Sequence, residues 1–293
     1  MTNHYQSAIF YISKKIYKFK ESCIKRYLRL IHKDKLYSYS VYPYIKIQEK
    51  SNGIFDVFFK NKYLFTSKSF DCLKGNYESI FIVGSGPSVS KQNTDKLKGK
   101  TVIFLNGSIL TALEKSIIPM AYIVMDANFI LNRLDIINKI QKGTNIILSP
   151  SAIKALAFFS PKTLQENNIF IFFHITERNS ENKIYFDFSS DPKQGFADGG
   201  TVMSIGIQLA YFCKADRTYL VGLDIGNANQ PRFYETNKNK QKSGLLKDYQ
   251  EKILPFMKEA SLMFKDEGMR LYNCSPVSKL PYDIIPYSDY LDK

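Results

Sequence analysis

Clustered metal ligands, paired cysteines and long apolar runs are all missing from this 293-residue chain. Its four cysteines, Cys23, Cys72, Cys213 and Cys274, stand far apart with no C-x-x-C. Neither a disulfide framework nor a cysteine metal site is expected, and the thiols read as reduced, cytosolic ones. No apolar run approaches the roughly 18 residues that a membrane span needs. The N-terminus also lacks the short uninterrupted apolar core of a signal peptide. The expectation is a soluble or peripheral protein that stays inside the cell. A G-x-x-x-x-G-K-[ST] phosphate loop is absent, and so is D-x-D, the carboxylate pair that holds a metal beside many sugar nucleotides. No histidine follows His174. That residue ends an apolar run and reads as structural.

What is abundant is positive charge on a foldable chain. With 44% hydrophobic and 14% aromatic residues a full core can form. The formal net charge is +14, from 41 Lys+Arg against 27 Asp+Glu, which favours an anionic partner. Residues 1–40 carry nine Lys+Arg and two Asp+Glu, so half of that excess sits in the first seventh of the chain. Within them Ile9, Ile12, Ile16, Phe19, Cys23, Tyr27 and Leu30 recur at steps of three and four. Such a stripe faces away from Lys14, Lys15, Lys18, Lys25 and Arg29 on a helix. Residues 1–40 are therefore expected to form a basic amphipathic helix that associates with an anionic membrane surface. A helix packed on the body with a solvated basic face is the alternative, as is a homo-oligomer made through the stripe. Nucleic acid is not an expected partner, because the most basic segment is apolar-striped and no RNA-binding pattern of exposed aromatics is evident.

Residues 41–75 alternate around Ser51-Asn52-Gly53 and Asn61-Lys62 and predict a small β-hairpin region of two or three strands. From residue 76 to 293 apolar, β-branched runs ("SIFIVG", "TVIFLN", "AYIVMD", "TNIILS", "NIFIFFH", "RTYLVGLD", "MRLYNCS") alternate with helical stretches such as Asn128–Gln141 and Thr201–Phe212. Strands without polar alternation, separated by helices, predict an α/β, Rossmann-like, mostly parallel sheet with helices on both faces. A lid is expected around 225–247.

Ligands of such sheets bind beyond the carboxyl ends of the strands. Here those ends are polar: Gly84-Ser85-Gly86-Pro87-Ser88, Asn106, Asp126, Gly222-Leu223-Asp224 and Asn273-Cys274-Ser275. A dinucleotide is disfavoured. Val89 stands where the fingerprint wants a small residue, Asn106 replaces the acidic residue after the second strand, and Pro87 occupies the phosphate-helix start. A nucleotide sugar with a single phosphate needs no D-x-D metal. Backbone N–H groups at Ser85–Ser88 and at the Gly200-Thr201 helix start can hold one charge. That points to a CMP-linked sugar as donor, with no cofactor and no metal.

The segments "FLNGSILTALEKSIIPMAYIVMDANF", "GLDIGNANQPRFYETNKNKQ", "KILPF" and "LYNCSPVSKLPYDIIPY" resemble the lipopolysaccharide core-biosynthesis enzymes that add a further Kdo to the inner core. The likeness runs from about residue 78 to 287 and leaves the first 75 residues uncovered. More distantly, "VGSGPSVS", Asn106, "DGGTVMSIGIQLAYF", "YLVGLD" and "YNCSPVS" resemble the bacterial CMP-sialic-acid sialyltransferases. The resemblance implies that Gly84, Ser85, Gly86, Pro87, Ser88, Asn106, Gly200, Thr201 and Ser275 hold the donor, and that Tyr234 contacts its phosphate. It also implies inversion at the anomeric carbon, a lipid A–inner-core acceptor, and a peripheral site on the cytoplasmic face of the bacterial inner membrane. One departure is plain: the sialyltransferases' general-base histidine lies in the lid, and this chain has none there.

Transfer from a CMP-linked acid needs a base for the acceptor hydroxyl and donors for the departing phosphate. Asp126, Asp224 and Glu235 are the candidate bases, with Asp224 and Glu235 favoured. Arg232 and Tyr234 suit the donor's carboxylate or phosphate. The motifs mark the CMP half of the donor better than its sugar, so another CMP-activated acid such as sialic acid is the alternative.

Overall fold

Seven short runs of apolar, β-branched residues lie side by side as one parallel sheet. The computed structural model describes residues 10–20, 22–24, 44–175 and 188–292. The strands of the large sheet are β4 (Ser79–Val83), β5 (Thr101–Leu105), β6 (Ala121–Val124), β7 (Asn145–Leu148), β8 (Asn168–Ile171), β9 (Arg217–Val221) and β10 (Arg270–Asn273). Their spatial order is β10-β9-β4-β5-β6-β7-β8, and every pair is parallel.

Both faces of this sheet are covered, which is why polar alternation is absent. Along β4, Ile80 and Ile82 enter one core and Phe81 and Val83 the other. The helices are α1 (10–20), α2 (Ile109–Lys115), α3 (Ala127–Asn132), α4 (Leu134–Ile137), α5 (Pro150–Phe159), α6 (Pro161–Gln165), α7 (Met203–Phe212), α8 (Leu245–Asp248) and α9 (Leu254–Asp266). Buried residues of α7 and α9 fill the first core, and those of α3 and α5 fill the second. The single helix expected over 128–141 is instead two short ones, broken at Arg133, whose φ of −133° leaves the helical region. Pro255 sits in the first turn of α9, where a missing N–H costs nothing, after a π turn at Tyr249–Ile253.

The chain builds outward from β4 to β8, then returns to place β9 on the other side of β4. That reversal is the topological switch point, where loops diverge and leave a crevice past the strand ends.

Before the large sheet, β1 (Ile45–Ser51), β2 (Ile54–Phe59) and β3 (Lys62–Thr66) form a small antiparallel sheet. It sits beside the edge strand β8, where the Lys68 N–H donates to the Ile169 carbonyl at 2.7 Å. Tyr44 and Phe59 meet Phe158 of α5 edge-on, at centroid distances of 5.0 and 4.9 Å. The helix α1 docks on the same aromatic cluster. Tyr17 is buried against Phe158 and Phe159 at 5.3 and 5.4 Å, and Phe10 meets Phe159 at 5.6 Å. Lys14, on the side of the helix opposite the Ile12–Ile16–Phe19 stripe, is on the docked side: its Nζ donates to Asn132 Oδ1 at 2.6 Å. Ile9, Lys25, Tyr27, Arg29 and Leu30 lie outside the described residues.

Candidate active site

At the switch point a cavity of roughly 390 Å³ opens beyond the ends of β4, β5, β6 and β9. Gly84, Ser85, Gly86, Pro87, Asn106, Asp126, Gly200, Thr201, Asp224 and Arg232 all line it. Residues more than 140 positions apart thus share one wall because parallel strands deliver all their carboxyl ends to the same edge. Ser88, Tyr234, Glu235 and Ser275 are close by but do not line it.

Asp224 organises the floor. Its carboxylate is 2% exposed and takes the Ser88 N–H at 2.6 Å, the Ser88 hydroxyl at 2.7 Å and the Ser275 hydroxyl. Three charge-assisted bonds hold it and tie the Gly84–Ser88 turn to the loops after β9 and β10. Asp224 thus ties these loops together from a buried place at the cavity floor, and Ser88 and Ser275 both bond it. The same tie explains Gly86. A Cβ there would come within 2.5 Å of both the Asp224 carboxylate and the Gly222 carbonyl.

The turn's amides are largely committed as well. Gly84 N–H donates to the Val221 carbonyl at 2.8 Å and Gly86 N–H to the Gly222 carbonyl at 3.1 Å, while Ser88 N–H goes to Asp224. Pro87 has none, so among the described residues the Ser85 N–H is the amide the turn leaves over. Of the backbone N–H groups expected at Ser85–Ser88 to meet a phosphate, the Ser85 N–H is the one not bonded within the protein among the described residues.

Glu235 is likewise engaged by a neighbour. Its side chain is only 1% exposed and accepts from Arg232 Nη1 at 2.9 Å and from the Arg232 N–H at 3.1 Å. It holds Arg232 at the cavity wall. The ring of Tyr234 lies over Gly107, where a Cβ would come within 2.0 Å of it. On its other side the Arg133 guanidinium stands 4.8 Å from the ring centroid. Burial pushes the Tyr234 hydroxyl up to about 12, against the pull of Arg232 and Arg133 and a hydrogen bond with Ser85.

That leaves Asp126. It follows β6, is exposed, and lines the cavity. Its Oδ1 caps α3 by accepting the Asn128 N–H at 2.7 Å. Asn106 adds a second signal. It has a left-handed φ of 50°, and its Oδ1 is buried with no partner among the described residues. A strained polar residue with an unmet acceptor at a strand end suits a ligand contact.

Residues that sequence reasoning did not single out complete the wall: Met125, Gln230, Gln241, Lys242 and Asp248 among them. No short motif marks them, because the segment over 225–248 reaches the cavity only by folding back. Behind the Gly200 turn, Asp198 bonds Lys252 at 2.9 Å and the Gly200 N–H at 3.0 Å. Burial would raise the Asp198 carboxyl, but these bonds and the Lys252 charge outweigh it and hold it below its ordinary value. His174 is accessible by area yet desolvated by its surroundings, which push its imidazole below the ordinary value while Asp198 pulls the other way. It does not line the cavity. Burial raises the thiols of Cys213 and Cys274 to about 12, so neither is a nucleophile. Among the described residues no group of three or more His, Cys, Asp or Glu side chains is placed to hold a metal.

Two family models match. One, described as "3-deoxy-D-manno-octulosonic acid transferase WaaZ", covers residues 179–291. The other, described as "6-hydroxymethylpterin diphosphokinase MptE-like", covers residues 56–230, more than half of the chain. A probable 3-deoxy-manno-octulosonic acid transferase of Escherichia coli K12 is 27% identical over 236 residues, 72% of this chain and 82% of that one. The Salmonella typhimurium protein of the same description is 28% identical over 241 residues, 73% and 88% of the two. Among solved structures, the MAF glycosyltransferase of Magnetospirillum magneticum AMB-1 superposes with a TM-score of 0.46 at 17% identity. That match covers 71% of this chain but 33% of the larger protein. The Campylobacter jejuni sialyltransferase CstII in complex with cytidine 5'-monophosphate superposes at 0.40 with 16% identity, covering 75% and 88%. By the model matched over residues 56–230 the chain belongs to the MptE-like family, and in sequence it is similar to the Kdo transferases.

Proposed function

We propose that the chain transfers Kdo from CMP-Kdo to a Kdo-bearing lipid A–inner-core acceptor, with inversion and without a metal ion. The observation that carries this reading is the sequence match to Kdo transferases joined to a cavity at the switch point. The acceptor hydroxyl oxygen bonds to the anomeric carbon as the carbon–oxygen bond to phosphate breaks, its electron pair leaving with CMP. The hydroxyl proton passes to Asp126. Charge on the departing phosphate meets Arg232, fixed by Glu235, together with Lys242, the Ser85 N–H and the start of α7.

Incubation with CMP-Kdo and a Kdo-bearing lipid A acceptor in excess EDTA is expected to add one Kdo, seen by mass spectrometry. Absence of product while CMP still raises the melting temperature would keep the donor class and overturn the sugar or acceptor. CMP-sialic acid as competing donor then separates the alternatives. The description of the model over 56–230 supports a second chemistry, diphosphate transfer to a hydroxymethylpterin. A parallel incubation with ATP and 6-hydroxymethylpterin distinguishes it.

A further inference from the structure

The N-terminal helix carries two apolar faces, and the body uses only one. At about 100° per residue, Phe10, Tyr17 and Lys14 fall on one side of α1, and these make the contacts with Phe158, Phe159 and Asn132. Ile12, Ile16 and Phe19 fall on the opposite side, 56%, 50% and 72% exposed. Cys23 continues that line and is also exposed. Lys15 and Lys20 are exposed and flank the apolar stripe, one on each side. An isolated apolar stripe bordered by cations, on a helix already docked by its back, matches the acyl–headgroup boundary of an anionic bilayer.

We propose that the Ile12–Ile16–Phe19 face of α1 is the surface by which this protein sits on an anionic membrane. The three side chains enter the boundary region while Lys15 and Lys20 meet the lipid phosphates. The attitude of the body on the membrane follows from the docked face. Lys14 donates to Asn132 Oδ1 at 2.6 Å, and Asn132 Nδ2 donates to Gln241 Oε1 at 2.8 Å. Gln241 lines the cavity. The helix is thus fastened to the cavity wall rather than hung from a free tether, and a lipid-anchored acceptor is met at a set orientation. The proposal rests on the two faces of α1 and holds whichever donor the cavity takes.

The test is flotation of the full-length protein with vesicles of phosphatidylethanolamine and phosphatidylglycerol. The unaltered chain is expected to float, more weakly at high salt, and to partition at least tenfold less onto phosphatidylcholine vesicles. The triple variant Ile12→Glu, Ile16→Glu, Phe19→Glu is expected to lose at least tenfold in partition. Its melting temperature and protection by CMP should stay unchanged, since none of the three touches the core. Equal flotation of the variant would overturn the proposal, as would equal binding to neutral vesicles. A concentration-dependent dimer that the variant abolishes, without flotation, would assign the face to a second copy of the chain. CMP protection read in the same samples keeps this outcome separate from the transferase reading.

Discussion

At Asp126, the proposed base, one carboxylate oxygen caps α3. Asp126→Asn keeps the capping oxygen and removes the proton acceptor. Its kcat is expected to fall by about 10²–10⁴, as for other general bases, with the melting temperature and donor KM little changed. Steady-state kinetics beside a thermal melt check this. Asp224 predicts the opposite pattern. Asp224→Ala strands the Ser88 N–H and two hydroxyls in a buried place. Urea denaturation should show a loss of about 3 kcal/mol. A variant that folds as well as the parent chain but is inactive would return Asp224 to the candidate bases. The difference between these two residues is invisible in sequence. Both are aspartates at strand ends, and it is the donors around each, three for Asp224 and one for Asp126, that separate them.

At the scale of elements, the segment over 225–248 is held down by ring packing on a glycine. Tyr234 covers Gly107 at the end of β5, and Phe233 N–H donates to the Ser85 carbonyl at 3.4 Å. Gly107→Ala places a methyl 2.0 Å from the ring and must lift the segment. A stability loss of about 2 kcal/mol and weaker CMP protection are expected. In a double-mutant cycle Tyr234→Ala should cost less on the Gly107→Ala background than alone. A second fastening joins the 3₁₀ turn Phe70–Leu73 to the loop before Gly195. Asp71 bridges Lys193 at 2.7 Å and Lys74 at 3.0 Å. Bonds to Lys193, then Lys74, hold its carboxyl at about 2. Because the folded value is depressed, the contribution is complete above the ordinary carboxylate value near ~3.9 and lost as pH falls through about 2. The melting curves of the parent chain and Asp71→Asn should therefore differ at neutral pH and converge near pH 2. A constant difference down to that pH would contradict the bridge.

At the scale of the molecule, the parts fall into line from the small sheet and α1, across α5 and α3, to the cavity. The Lys14–Asn132–Gln241 connection is the thread through them. No described helix is long and apolar enough to cross a membrane. The proposed seat on α1 and the cavity at the switch point together suit the proposed transfer from a soluble donor to a lipid-anchored acceptor.

The seven strands were legible in the sequence because a parallel sheet buried on both faces leaves unbroken apolar runs, each ended by turn residues. The helix-strand alternation and the polar strand ends followed from the same local physics. So did the apolar stripe of α1, since period and charge are properties of neighbours in the chain. What those polar residues do was decided only in three dimensions. Whether a strand-end carboxylate meets three donors, as Asp224 does, or one, as Asp126 does, depends on loops up to about half the chain away. The same holds for Glu235, which is buried on Arg232, and for Tyr234, which packs on Gly107. The docked face of α1 was also beyond the sequence. Phe10 and Tyr17 compete with Ile12, Ile16 and Phe19 for one partner surface, and the aromatic pocket at Phe158 and Phe159 exists only once α5 is in place.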